Sequence, residues 1–217
     1  MTTARTRAPA PSPRRKPRQS RARQTSQALQ EAFVRLLVEH GYAGVTIREI
    51  TAVAGTGLGS FYEYFSSKED LARVCIHLRS KALLATMRAA VDAQAGRPLA
   101  EVVDAVIDAL LAVHRAHPQE WGAHYLLERH LSGAEAYRKM YERFVDEWVH
   151  AIESAAGAQP GGAARREAAR VSQTIVYGLF AHAFIGAGAV PPDTRALARQ
   201  ARTAIAAYLR AAADADR

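Results

Sequence analysis

The sequence predicts an all-α protein, on three observations. Large apolar residues recur at three- and four-residue steps, as in Leu29, Phe33, Leu36 and Leu37 or Val102, Val106, Leu110 and Val113, which is the period of one helix face. Alternating strand patterns are nearly absent. Glycine and proline punctuation divides the chain into about nine helical stretches.

The first helix is expected at 25–40, stopped by Gly41, and the second at 46–54, where Thr46 and Glu49 form a capping box and Gly55 ends the run. A short third helix follows at 58–64. The fourth is placed at 67–94, capped by Ser67, with Glu69 and Asp70 suited to the positive end of the macrodipole. Gly96 and Pro98 then separate two regions, and further helices are expected at 98–116, 118–131, 134–156, 163–186 and 193–213. The stretch Val171 to Pro192 lacks formal charge, but Gln173, His182, its glycines and its prolines leave too short an apolar run for the ~20 residues of a membrane span. A doubly buried helix fits it better.

The chain has 217 residues, 49% hydrophobic and 23% charged, enough to bury a core as one large or two small units. Cys75 is its only cysteine, so no internal disulfide and no cysteine-based zinc site can form, which suits a reducing cytoplasm. High alanine, with arginine far exceeding lysine, matches the codon background of a GC-rich genome. The formal net charge of +8 is not spread evenly. Arg5, Arg7, Arg14, Arg15, Lys16, Arg18, Arg21 and Arg23 precede residue 25 with no acid among them, and the rest of the chain is balanced. Prolines at 9, 11, 13 and 17 and the lack of large apolar residues predict a disordered basic arm over residues 1–24. No apolar signal-peptide region accompanies it.

Residues 46–65, TIREITAVAGTGLGSFYEYF, join two short helices through Gly55-Thr56-Gly57, the plan of a helix-turn-helix DNA reader. Ile50 and Val53 are expected to pack the first of these helices into the core, while the second projects its N-terminal side chains toward base edges. The same glycines do not make a dinucleotide loop, because no strand precedes them and Ser60 stands at the third glycine position.

From Ala32 through Gly41-Tyr42, Val45-Thr46-Ile47-Arg48-Glu49-Ile50, Ala54-Gly55, Gly59-Ser60-Phe61-Tyr62, Tyr64-Phe65 and Ser67-Lys68-Glu69-Asp70-Leu71, the sequence resembles the tetracycline-repressor (TetR/AcrR) family of bacterial regulators. The resemblance runs in unbroken register over roughly fifty residues. It implies that Thr46 and Arg48 contact phosphate, that Gly57, Leu58 and Ser60 open the recognition helix, that Tyr62 and Tyr64 clamp the DNA backbone, and that Lys68 reaches a phosphate. Phe61 and Phe65 are expected to pack inward. Gly57 replaces the usual Ser or Thr cap, and Thr51 replaces a small apolar residue and can bond back to its own helix. With Leu58 offering only apolar contact, base preference is not legible.

The resemblance further implies a homodimer that binds a double-stranded DNA operator and responds to a small effector. The implied organisation is an arm at 1–24, a DNA-binding domain at 25–66 and an effector-binding and dimerisation domain at 67–217. The dimer is expected to use Ile175, Leu179 and Ala183 of the eighth helix with Leu197, Ala201 and Ile205 of the ninth. An apolar, aromatic effector is expected beside Trp121, Tyr125, Phe144, Trp148, Tyr177 and Phe180, oriented by His124, Glu128 and His182, although each aromatic could equally pack the core. His114, His117, His124, Glu128 and His130 have helical spacings, but solvated or hydrogen-bonded histidines account for them as well as a metal would. No convergent nucleophile and base is visible, and no cofactor or membrane contact is expected. The competing classes are a helical small-molecule enzyme and an adaptor whose basic arm binds nucleic acid or membrane non-specifically.

Overall fold

The computed structural model describes residues 17–157, 159–188 and 190–215. Among them the chain forms nine helices: α1 (Pro17–Gly44), α2 (Ile47–Val53), α3 (Leu58–Tyr64), α4 (Lys68–Ala93), α5 (Leu99–Ala116), α6 (Pro118–Leu131), α7 (Ala134–Ser154), α8 (Gly162–Gly186) and α9 (Thr194–Ala215). The expected all-α class and nearly every expected boundary hold. The clearest departure is the start of α1, which begins at Pro17 rather than 25, so residues 17–24 are helical and not part of a disordered arm. Proline serves there as a first helical residue, whose missing N–H has no intrahelical partner in any case. The arm's residues 1–16 lie outside the described residues. At Gly41 the backbone turns to φ 66°, ψ 167°, ending the regular helix where the sequence placed its stop.

Two apolar cores result. One gathers Leu29, Phe33, Leu36, Val45, Ile50, Phe61, Phe65, Leu71, Ala72 and Ile76, with Leu127 reaching in from α6. The other is built by α4–α9 around Met87, Val106, Ile107, Leu110, Trp148, Phe180 and Ile205. The expected domain break at 66/67 does not separate these cores. Leu71, Ala72 and Ile76 of α4 belong to the first and Met87 and Val91 of the same helix to the second. A 26-residue helix is about 39 Å long, so one rigid rod joins both units. α6 does the same across its width, giving Leu127 to the first core and Trp121 and Tyr125 to the second.

The α8 stripe Val176, Phe180 and Phe184 is buried, and the Val171, Ile175, Leu179 and Ala183 stripe is half-buried. α9 departs from expectation. Leu197, Ala201 and Ile205 are 4%, 0% and 0% exposed, because α9 lays this stripe against α5 and α8 of its own chain. They are core residues of the protomer and not available to a partner. Ion pairs fix the same arrangement, with Arg202 of α9 meeting Asp104 and Asp108 of α5 and Arg166 and Arg170 of α8 meeting Glu142 of α7. Among the described residues no helix is long and apolar enough to cross a membrane.

Candidate nucleic-acid interface and effector region

α2 is a seven-residue helix that needs its cap. Thr46 accepts the backbone N–H of Glu49 at 3.3 Å, and Glu49 returns the contact by accepting the Thr46 N–H at 2.8 Å and its hydroxyl at 2.7 Å. These bonds hold the Glu49 carboxyl below its ordinary pKa range, the side-chain bond from Thr46 foremost. Ile50 and Thr51 are buried, and the Thr51 hydroxyl bonds back to the Arg48 carbonyl at 3.0 Å. Val53 does not pack inward as expected; it is 45% exposed. With about 100° between successive residues, the inward face is Ile47, Ile50, Thr51 and Ala54, and Val53 falls outside it.

Gly55, at φ 65°, makes the turn, and α3 starts at Gly57 without a side-chain cap. Phe61 and Phe65 are 0% and 4% exposed and anchor α3. The opposite side is open: Thr46, Arg48, Gly57, Leu58 and Tyr62 are exposed, and Ser60 and Tyr64 are half-buried. Tyr64 borders a groove beside Arg23 and Ser26 of α1. Arg21 and Arg23 stand exposed on the start of α1, extending the basic character toward this face.

Lys68, expected at a phosphate, is held within the protein. Its ammonium donates to the carbonyls of Tyr42 at 2.8 Å and Val45 at 2.7 Å, and lies 4.3 Å from the Tyr42 ring centroid. Gly41 interrupts the regular helix just before these carbonyls, and the Lys68 ammonium bonds both. It ties the α1–α2 corner to the start of α4.

In the second core, His114 is the hub that spacing alone did not reveal. It is fully buried, stacks on Trp121 at 4.0 Å and meets Phe180 and Phe184 edge-on or tilted at 5.1 and 5.0 Å. Its ring nitrogens bond the Leu110 carbonyl at 2.7 Å and the Tyr125 hydroxyl at 2.9 Å. Burial pushes its pKa down to about 4, and that of neighbouring His124 down to about 3. Trp121, His124, Tyr125 and Phe180 therefore do converge, but as a sealed aromatic stack. Tyr177 joins it at 5.7 Å from Tyr125 and donates its hydroxyl to the Glu128 carboxylate at 2.9 Å. Burial raises the Glu128 pKa.

Trp148 and Phe144 stand apart from this group. Trp148 is fully buried and donates its indole N–H to Gln173 at 3.2 Å, and Phe144 packs half-buried against the same core. Gln173 lies two turns before Phe180 on the same face of α8, and no ring contact among the described residues joins Trp148 to the Trp121 stack. His182 is exposed. His117 and His130 are also exposed while His114 and His124 face inward, so the histidine-rich stretch does not gather; no three metal-ligating side chains meet among the described residues.

Two of the hollows that border this region open onto Trp121 and onto Glu128. One of about 850 Å³ lies between α1, α4 and the α5–α6 turn, with Trp121 and the Arg79–Glu120 ion pair on its wall. The other, of about 810 Å³, opens between α4, the end of α6 and the start of α7, with Glu128 and Tyr137 on its wall.

The sequence model described as "Bacterial regulatory proteins, tetR family" matches residues 30–75, and "Tetracyclin repressor-like, C-terminal domain" matches residues 98–209. The chain belongs to the tetR family of bacterial regulatory proteins. It is a DNA-binding transcriptional regulator, which fits an open helix-turn-helix carried on a buried scaffold. Solved structures share the fold. A transcriptional regulator from Pseudomonas aeruginosa PAO1 is 18% identical with a TM-score of 0.65, over 94% of this chain and 97% of the other. FadR from Bacillus subtilis, in complex with stearoyl-CoA, is 15% identical with a TM-score of 0.65, over 84% and 98%. SmeT, the repressor of the Stenotrophomonas maltophilia multidrug efflux pump SmeDEF, is 18% identical with a TM-score of 0.67, over 86% and 92%. No curated protein matches significantly. Regulators of this family bind operator DNA, dimerise and take small effectors.

Proposed function

We propose that this tetR-family chain is a repressor released from a two-fold operator by a small, largely apolar effector. The observation that carries the reading is the sharing of α4 and α6 between the two cores. A molecule that shifts either helix in the second core also moves Leu71, Ile76 or Leu127 in the first, and with them the exposed face of α3. Two recognition helices must be spaced about one DNA turn apart, ~34–36 Å. A modest tilt of α4 in each protomer is enough to break that match, and the effector then selects the mis-spaced dimer.

Thr46, Arg48 and the backbone at Gly57 are assigned to phosphate, Leu58 and Ser60 to the major groove, and Tyr62 to backbone clamping. Tyr64 flanks that contact from its half-buried place. The effector is assigned to the neighbourhood of Trp121, Glu128 and Tyr177, where the hollows meet the aromatic stack. Among the fold neighbours, FadR from Bacillus subtilis holds stearoyl-CoA, a ligand with a long apolar chain. For the dimer we retain Ile175, Leu179 and Ala183 on α8, which remain half-exposed beside Gly178 and His182. On α9 we assign the open small-residue face, Gln200, Thr203, Ala204, Ala207 and Ala211, in place of the buried stripe.

Footprinting on the DNA flanking the chain's own gene tests the reading. A protected inverted repeat that Leu179→Glu abolishes, with conversion of dimer to monomer by sedimentation, is the expected result. Protection without two-fold symmetry, or an unaltered dimer, rejects it.

A further inference from the structure

Glu128 is 7% exposed. The one hydrogen bond to its carboxylate among the described residues comes from a neutral hydroxyl, that of Tyr177 at 2.9 Å, and no described lysine, arginine or histidine forms an ion pair with it. A buried carboxylate ordinarily demands a counter-charge, because desolvation is far costlier than one neutral hydrogen bond repays. Glu128 is the only buried acid among the described residues. It lies on the wall of the hollow between α4, α6 and α7, together with Ile76, Leu131, Tyr137 and Met140. Behind it Tyr177 sits edge-on to Tyr125 at 5.7 Å and to Tyr137 at 6.0 Å. A buried carboxylate beside the Tyr137 ring and the apolar side chains of Ile76, Leu131 and Met140 is the chemistry that recognises an organic cation, since carboxylate and aromatic ring both attract positive charge.

We propose that this hollow binds an organic cation, a protonated amine on an apolar body, with Glu128 as its counter-charge. The inference rests on the effector-responsive reading above and names the class of effector. The volume, about 810 Å³, is in the range of small-molecule sites, roughly 300–1,000 Å³. The mouth carries Arg73 and His77 from α4 and Lys139, Arg143 and Glu135 from α7, with Arg129 beside Glu128 on α6. These groups are exposed, and Arg73 is already paired with Glu69 at 2.6 Å. Solvent screens them, whereas the interaction at Glu128 is made in a low-dielectric wall and dominates. An anion placed there faces an uncompensated carboxylate. Occupancy has a route to the DNA-reading end, because Ile76 lines the hollow and also belongs to the core of α1–α3.

A charge series on one skeleton tests the site: 4-phenylbutylamine, 4-phenylbutan-1-ol and 4-phenylbutyrate, titrated calorimetrically into the full-length protein near neutral pH. The amine is expected to bind at least about tenfold more tightly than the alcohol, with the butyrate weakest. Glu128→Gln should remove that preference and leave alcohol affinity within about twofold. Met140→Trp, which fills the wall of the hollow, should weaken the amine even if the Glu128 variant does not fold. The site is overturned if the alcohol or the butyrate binds as tightly as the amine, if Glu128→Gln keeps the preference, or if Met140→Trp leaves amine affinity unchanged. Operator binding is followed separately by anisotropy. Amine binding that obeys the series without releasing DNA supports the site and rejects the effector role.

Discussion

Replacing Lys68 with methionine separates two roles that a surface lysine at a DNA-reading motif can play. The structure assigns its ammonium to the Tyr42 and Val45 carbonyls at 2.8 and 2.7 Å and to the Tyr42 ring at 4.3 Å. Hydrogen bonds from a charged donor contribute ~1.5–3 kcal/mol each, and a cation–π contact at a partly open site ~0.5–1 kcal/mol. Partial exposure lets water replace some of this, so Lys68→Met should destabilise the α1–α4 unit by about 2–4 kcal/mol. Lys68→Arg should recover part of it. The assay pairs urea unfolding with operator affinity measured across salt concentrations. A structural stitch lowers stability and affinity while the slope of log K against log salt stays constant. A phosphate contact instead reduces that slope by about 0.9 and leaves stability intact. The second outcome would refute the stitch.

Gly122→Ala tests the closest approach of α6 to α8, where an added Cβ would stand 2.7 Å from the Phe184 carbonyl oxygen. Backbone cannot yield there as a flexible side chain can, so a loss of ~1–3 kcal/mol is expected in thermal unfolding, and an unchanged melting temperature would refute the tight contact. His114 and His124 predict acid sensitivity, because burial depresses their folded pKa values to about 4 and about 3. The unfolded chain takes up those protons near pH 6.5 and the folded chain resists, so stability should fall by about 1.4 kcal/mol per pH unit per histidine as pH drops from about 6.5 toward 4. His114→Gln should flatten that fall, and urea midpoints that stay level from pH 7 to 5 would contradict it.

The helix-turn-helix was legible because its determinants are local. Thr46 and Glu49 close a capping box three residues apart, Gly55 supplies a positive φ, and Phe61 and Phe65 recur on one face of α3. The aromatic cluster was legible only in part. The resemblance placed Trp121, Tyr125 and Tyr177 together beside an effector, but the sequence offered no sign that His114 would be their hub or that Trp148 would pair with Gln173 across α7 and α8.

Apart from the early start of α1 and the outward side chain of Val53, the sequence by itself determined which residues are helical, where each helix stops, and which stripes must leave water, because propensity, capping and periodicity act within a few residues of chain. Only the tertiary structure decided what covers each stripe. Leu197, Ala201 and Ile205 carry the pattern of an interface, and the same pattern serves equally well for α9 lying on α5 of its own chain. Lys68 carries the charge of a phosphate contact, yet the carbonyls it serves lie 26 and 23 residues away in sequence. Burial is non-directional: it requires that an apolar face find a partner, and the identity of the partner is fixed by long-range packing that no local window of sequence contains.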